Sequence, residues 1–123
     1  MIDTTFNTNW NGKLNCNCFT TIRIANPKKY AVNTDHKISL KDEFLYNARV
    51  LAYKELFLHE LNDFMSFVDT GYSRLETREI IYKMYPKIDF HTQKICFVLF
   101  GRNPTQTKHI NKTPILKGYL LED

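Results

Sequence analysis

The chain predicts an α+β fold, a small curled β-barrel with two helices, and three observations carry that expectation. Strand-like segments run from the N-terminus to Tyr53, two segments with helical spacing follow, and an apolar strand closes the series near Phe100. Helices grouped beside a mostly antiparallel sheet are a recurrent solution for burying one face of that sheet. At 123 residues there is material for one core, and a domain of that size buries roughly two-thirds of the surface its unfolded chain exposes. The composition, 43% hydrophobic and 24% charged, is that of an ordinary globular protein.

The elements can be taken in order. Residues 4–8 read as a short first strand, and Asn9-Trp10-Asn11-Gly12 reads as a turn rich in residues that tolerate positive φ. Residues 19–24, Phe-Thr-Thr-Ile-Arg-Ile, are β-branched and aromatic and form a strand that Asn26-Pro27-Lys28-Lys29 breaks. Residues 36–40 alternate, and residues 44–53 place Tyr46, Ala48, Val50 and Ala52 on one face of a further strand. Leu58, Leu61, Met65 and Val68 recur at helical spacing over 57–68, with Gly71 as the stop. Ser73 and Glu76 make a capping box for a second helix, whose apolar face is Leu75, Ile80, Ile81 and Met84 and whose end is Pro86. Residues 94–100 supply a last strand, expected to be central together with 19–24. The fold then occupies 1–102, and the polar tail over 103–123 is expected to be loosely ordered.

Charge and cysteine usage narrow the function classes. Seventeen Lys and Arg against thirteen Asp and Glu give +4, which favours polyanionic partners. The N-terminus lacks the basic-then-apolar order of a signal peptide, and no run approaches the ~18 apolar residues of a membrane helix. Three cysteines without framework spacing read as reduced thiols, so a cytoplasmic protein with no membrane partner is expected. Cys16-x-Cys18 lacks the paired motif that would complete a four-ligand zinc site. His36, His59, His91 and His109 are scattered and read as surface or capping residues. No metal and no cofactor is expected.

The densest chemistry lies between Trp10 and Arg23. Asn11, Asn15 and Asn17 offer donors and acceptors, Thr20 and Thr21 offer hydroxyls, and Arg23 offers a forked cation on a strand. Alternation puts Phe19, Thr21 and Arg23 on one face, while Thr20, Ile22 and Ile24 share the other and enter the core. Arg23 either engages a ligand phosphate or base edge or pairs with a carboxylate such as Asp69.

The run Gly12 to Thr20-Thr21-Ile22-Arg23, followed by Tyr30, the central strands, two helices, Tyr85-Pro86 and a terminal apolar strand, resembles the ASCH domain. That family is an offshoot of the PUA-like RNA-binding barrels, and its members commonly begin with a Gly-Lys-Lys-Thr-x-Thr-x-Arg-like stretch. The resemblance implies a PUA-like barrel that binds RNA or a nucleotide in a cleft between barrel and helices. In that reading Lys13 and Lys28 attract phosphates, Thr21 and Arg23 hydrogen-bond the ligand beside Cys18, and Trp10 or Tyr72 stacks on a base that Asp69 can also contact. One ASCH branch consists of amidohydrolases that deacetylate N4-acetylcytidine with a Lys, a Thr three residues later and a distant Glu. Thr21 matches the nucleophilic Thr and Arg23 the Arg that follows, but Cys18 falls at the lysine and Thr70 at the glutamate, with Asp69 adjacent. Lys13 could restore a Lys–Thr arrangement from the preceding loop. A threonine hydroxyl needs a base to become a nucleophile, so a non-catalytic binding module is expected. The alternatives are a hydrolase on a modified cytidine and a protein-interaction module that uses the tail or the acidic helix face.

Overall fold

Backbone pairing resolves these segments into one sheet and two helices in a computed structural model, which describes residues 1–103. The strands are β1 (Ile2–Phe6), β2 (Cys18–Ile24), β3 (Asp35–Leu40), β4 (Glu43–Leu56) and β5 (Ile95–Arg102), and the helices are α1 (Asp63–Thr70) and α2 (Arg74–Met84). Short 3-10 segments cover Trp10–Asn15 and Leu58–Glu60. The sheet order is β1-β3-β4-β5-β2, with β1 and β3 parallel and every other pairing antiparallel.

The sheet curls into an open half-barrel, because its two edge strands approach each other. Phe6 of β1 and Phe19 of β2 meet edge-to-face with ring centroids 5.9 Å apart. Arg23 of β2 donates from Nη2 to the carbonyl of Thr5 in β1 at 3.0 Å. Inside the curl lie Ile38, Tyr46, Ala48, Val50, Val98 and Phe100. A second core of Leu56, Leu58, Leu61, Ile81, Phe90 and Ile95 joins the sheet to the helices, with Ile22 and Ile24 packed against it. Thr20 is thus buried and Ile22 and Ile24 are half-buried against that core, on the face expected, while Cys18 at the strand's start is exposed. Its odd residues are covered too: Phe19 joins the first core and Thr21 is buried.

Several expectations need correction. β5 is central, but β2 is an edge strand. Its polar residues sit where the barrel is open, whereas the apolar run of β5 suits a place between two neighbours. β1 starts two residues earlier than residue 4 would suggest, at Ile2. In β4 the register shifts between Val50 and Ala52, so Ala52 is exposed and Tyr53 takes the inward phase. The first helix begins at Asp63, capped by the Asn62 side chain accepting from the Met65 amide at 2.8 Å. Leu58 and Leu61 are buried from the 3-10 turn before it, and Val68 is exposed. The buried face of α1 is Ser66, Asp69 and Thr70. In α2, Ile81 and Thr77 are buried whereas Leu75 and Met84 face solvent. His36 is no surface residue: it is fully buried, bonded to Thr4 at 2.7 Å and stacked on Tyr30.

Other local readings hold. Asn11 and Gly12 adopt positive φ in the turn, Gly71 ends α1 at φ 83°, and Ser73 and Glu76 form the capping box of α2. Among the described residues no helix is long and apolar enough to cross a membrane. The tail from residue 104 and His109 lie outside the described residues.

Candidate functional site

The turn at residues 9–12 decides where Lys13 goes. The Asn9 side chain accepts from the Leu14 amide at 2.9 Å, and the positive φ angles of Asn11 and Gly12 fold the segment back on itself. Lys13 is thereby driven inward and is only 6% exposed. From the opposite side, the last turn of α1 brings in Asp69, 3% exposed. Lys13 Nζ lies 3.0 Å from Asp69 Oδ1, and the Thr20 hydroxyl donates to the same oxygen at 2.8 Å. Burial pushes the Lys13 ammonium below its usual range and the Asp69 carboxyl above its own, and their attraction opposes both movements. The bonds from Lys13 and Thr20 both use Oδ1, so among the described residues Asp69 Oδ2 is left as an acceptor without a hydrogen bond, in a side chain that lines the cleft.

Arg23 is fixed differently. Its Nε donates to Thr21 Oγ1 at 3.0 Å, its Nη2 to the Thr5 carbonyl, and the guanidinium lies 4.5 Å from the centre of the Phe6 ring. The carboxylate pairing expected as an alternative is not formed with any described residue.

Lys13, Thr21, Arg23, Asp69 and Trp10 all line one cleft of about 260 Å³ between the β1–β2 seam and the helices. Ile22, Ile81, Met84 and Tyr85 give it an apolar wall. Tyr72 stands at its rim, edge-on to Trp10 with centroids 6.0 Å apart, in a neighbouring hollow that shares Trp10, Thr8 and Thr70 with the cleft. Two residues named from the sequence are elsewhere. Cys18 lines a separate hollow with Asp35, Arg49 and Leu51, and Lys28 is exposed in the turn after β2.

Thr77 went unnoticed in the sequence, and Thr20 and Thr70 were named there without the parts they take here. Thr20 holds Asp69, and Thr70 and Thr77 join α1 to α2 with their hydroxyls 2.9 Å apart. The available signal was a polar stripe: Ser66, Asp69 and Thr70 share one face at three- and four-residue spacing.

The arrangement separates hydroxyl from base. Thr20, which donates to a carboxylate, does not line the cleft, whereas Thr21, which does, accepts from a guanidinium. Arg23 and Thr21 therefore face the cleft with the cation beside the hydroxyl. Among the described residues no three His, Cys, Asp or Glu side chains group as a metal would require. No family model, curated protein or solved structure matches the chain.

Proposed function

We propose that the cleft binds a single nucleotide, free or as the splayed base of a single-stranded RNA, on an ASCH-like barrel of the PUA type. The observation that carries this is convergence: residues singled out for nucleotide chemistry come from the 3-10 segment, β2 and α1 and line one cleft. Its volume, about 260 Å³, falls just below the roughly 300–1,000 Å³ of pockets for drug-sized ligands. One ring and its substituents fit that space; a duplex does not. RNA is read in its single strands and loops because unstacked bases there can enter such a pocket. Asp69 Oδ2 is the acceptor for a base amino group, the apolar wall offers a surface to the ring, and Trp10 and Tyr72 flank the entrance.

Lys13 takes a different part from the one expected of it. Its charge is matched by Asp69, so it orients the acceptor instead of attracting phosphate. Lys28 is outside the cleft and has no part. Hydrolysis is disfavoured because the hydroxyl of Thr21 accepts from Arg23 and hydrogen-bonds to no carboxylate among the described residues.

The test is a titration of the full chain with nucleosides, nucleoside monophosphates and a short single-stranded RNA, followed by amide chemical shifts. Perturbations should centre on Trp10, Lys13, Thr21, Arg23, Asp69 and Tyr72. Incubation with N4-acetylcytidine should release no acetate above background. Shifts confined to other faces would refute the binding site, and turnover abolished by Thr21→Ala would replace binding with amide hydrolysis.

A further inference from the structure

Three ionised side chains line the cleft, and two of them offset each other. Lys13 and Asp69 form an ion pair at 3.0 Å, so Arg23 is left as the charge without a counter-ion among the described residues. Its partners inside the protein are neutral: a hydroxyl, a carbonyl and the face of an aromatic ring. A guanidinium has five N–H donors. The bonds to Thr21 and Thr5 use two, so three remain. The side chain is also pre-oriented, since a strand residue holds its Nε, the facing strand holds its Nη2 and Phe6 supports its plane. A half-buried cation fixed in this way, with donors to spare, is suited to an oxyanion.

Resting on the reading of the cleft as a ligand site, we infer that Arg23 receives an anionic group, and that the ligand is a nucleotide held by its phosphate rather than a neutral nucleoside. The division of labour then follows from charge. The Lys13–Asp69 pair, neutral as a unit, faces the uncharged and amino-bearing part of the ligand. Arg23, on the seam between β1 and β2, takes the phosphate. The apolar wall of Ile22, Ile81, Met84 and Tyr85 covers the ring.

The experiment compares the four common nucleoside 5′-monophosphates with their parent nucleosides, using the full chain at low and at high salt. At least one monophosphate should bind about tenfold or more tightly than its nucleoside, and the gap should narrow as salt rises. Arg23→Gln should abolish the gap, and Arg23→Lys should restore part of it. Because Arg23 also ties two strands together, the same claim is read in the unmutated chain from the Arg23 Nε–H resonance. Inorganic phosphate alone should shift it, and acetate alone should shift it less. Acetate shifting it while phosphate does not would overturn the nucleotide assignment in favour of a carboxylate ligand. Nucleosides binding in the cleft as tightly as their monophosphates would overturn the inference and leave the binding site standing. Failure of every compound to bind would remove the binding site itself.

Discussion

Lys13 and Asp69 lie 56 positions apart in sequence, and each was visible as a candidate without any sign that they meet. Their contact depends on where the turn at 9–12 and the end of α1 are placed, which is a tertiary matter. The pair has a consequence for stability. Two buried charges are tolerated only together, so removing one strands the other at a cost of about 3–5 kcal/mol. Asp69→Leu and Lys13→Met should each lower the urea-unfolding free energy by that order. The double variant should be closer to the parent chain than either single one, and an additive loss would argue against a coupled pair. His36 carries a second residue-scale expectation. Its burial holds its pKa below the ordinary 6.5, so the unfolded chain binds the proton first as pH falls. Its contribution is fully present above pH 6.5 and declines below it, by up to about 1.4 kcal/mol per pH unit until the folded-state pKa is reached. Unfolding midpoints at pH 7.5 and 5.5 measure this, and the His36 ring signals should stay those of neutral imidazole at the higher value. A midpoint unchanged by pH would contradict the assignment.

Elements whose signals are local were the legible ones. The capping box of α2 needs only Ser73 and Glu76, and the stop of α1 needs only a glycine free to take positive φ. The start of α1 was misread because Leu58 and Leu61 are spaced like helix residues while serving a 3-10 turn, and the capping residue Asn62 follows them. Its inner face was misread because hydrophobic spacing was followed, whereas the site required Ser66, Asp69 and Thr70 inside and left Phe64, Phe67 and Val68 exposed. Gly71 offers the check at this scale. It sits at φ 83°, and a Cβ there would lie 3.2 Å from Asn11 Oδ1. Gly71→Ala combines a left-handed backbone with that close approach, and should cost about 1–2 kcal/mol. The change should also disturb Asn11, whose side-chain nitrogen donates to the Phe67 carbonyl at 3.4 Å. Thermal unfolding reads the first effect and the Asn11 side-chain amide signals read the second. An unaltered melting temperature would deny the strain.

The strand order of the whole molecule could not be read from the sequence, since pairing β5 between β4 and β2 joins residues far apart along the chain. Its curl, however, is closed at a seam where Phe6 meets several partners. It packs against Phe19 across the seam and lies under both Arg23 and Lys13, with Nζ of the latter 5.5 Å from its centre. Phe6→Ala would remove a buried ring and lower stability by about 3–5 kcal/mol, which alone would not separate fold from site. Phe6→Leu is the informative change. Leucine restores much of the volume, so the stability loss should stay under about 1.5 kcal/mol, but it has no π face for a cation. If the ring positions Arg23 for a ligand, the leucine variant should retain its melting curve to within a few degrees yet bind a nucleoside monophosphate several-fold more weakly, with the Arg23 Nε–H signal broadened. Equal binding by the two chains would mean that the two strand contacts of Arg23, to Thr21 and Thr5, are enough to set its position and that Phe6 serves the seam only as apolar filling.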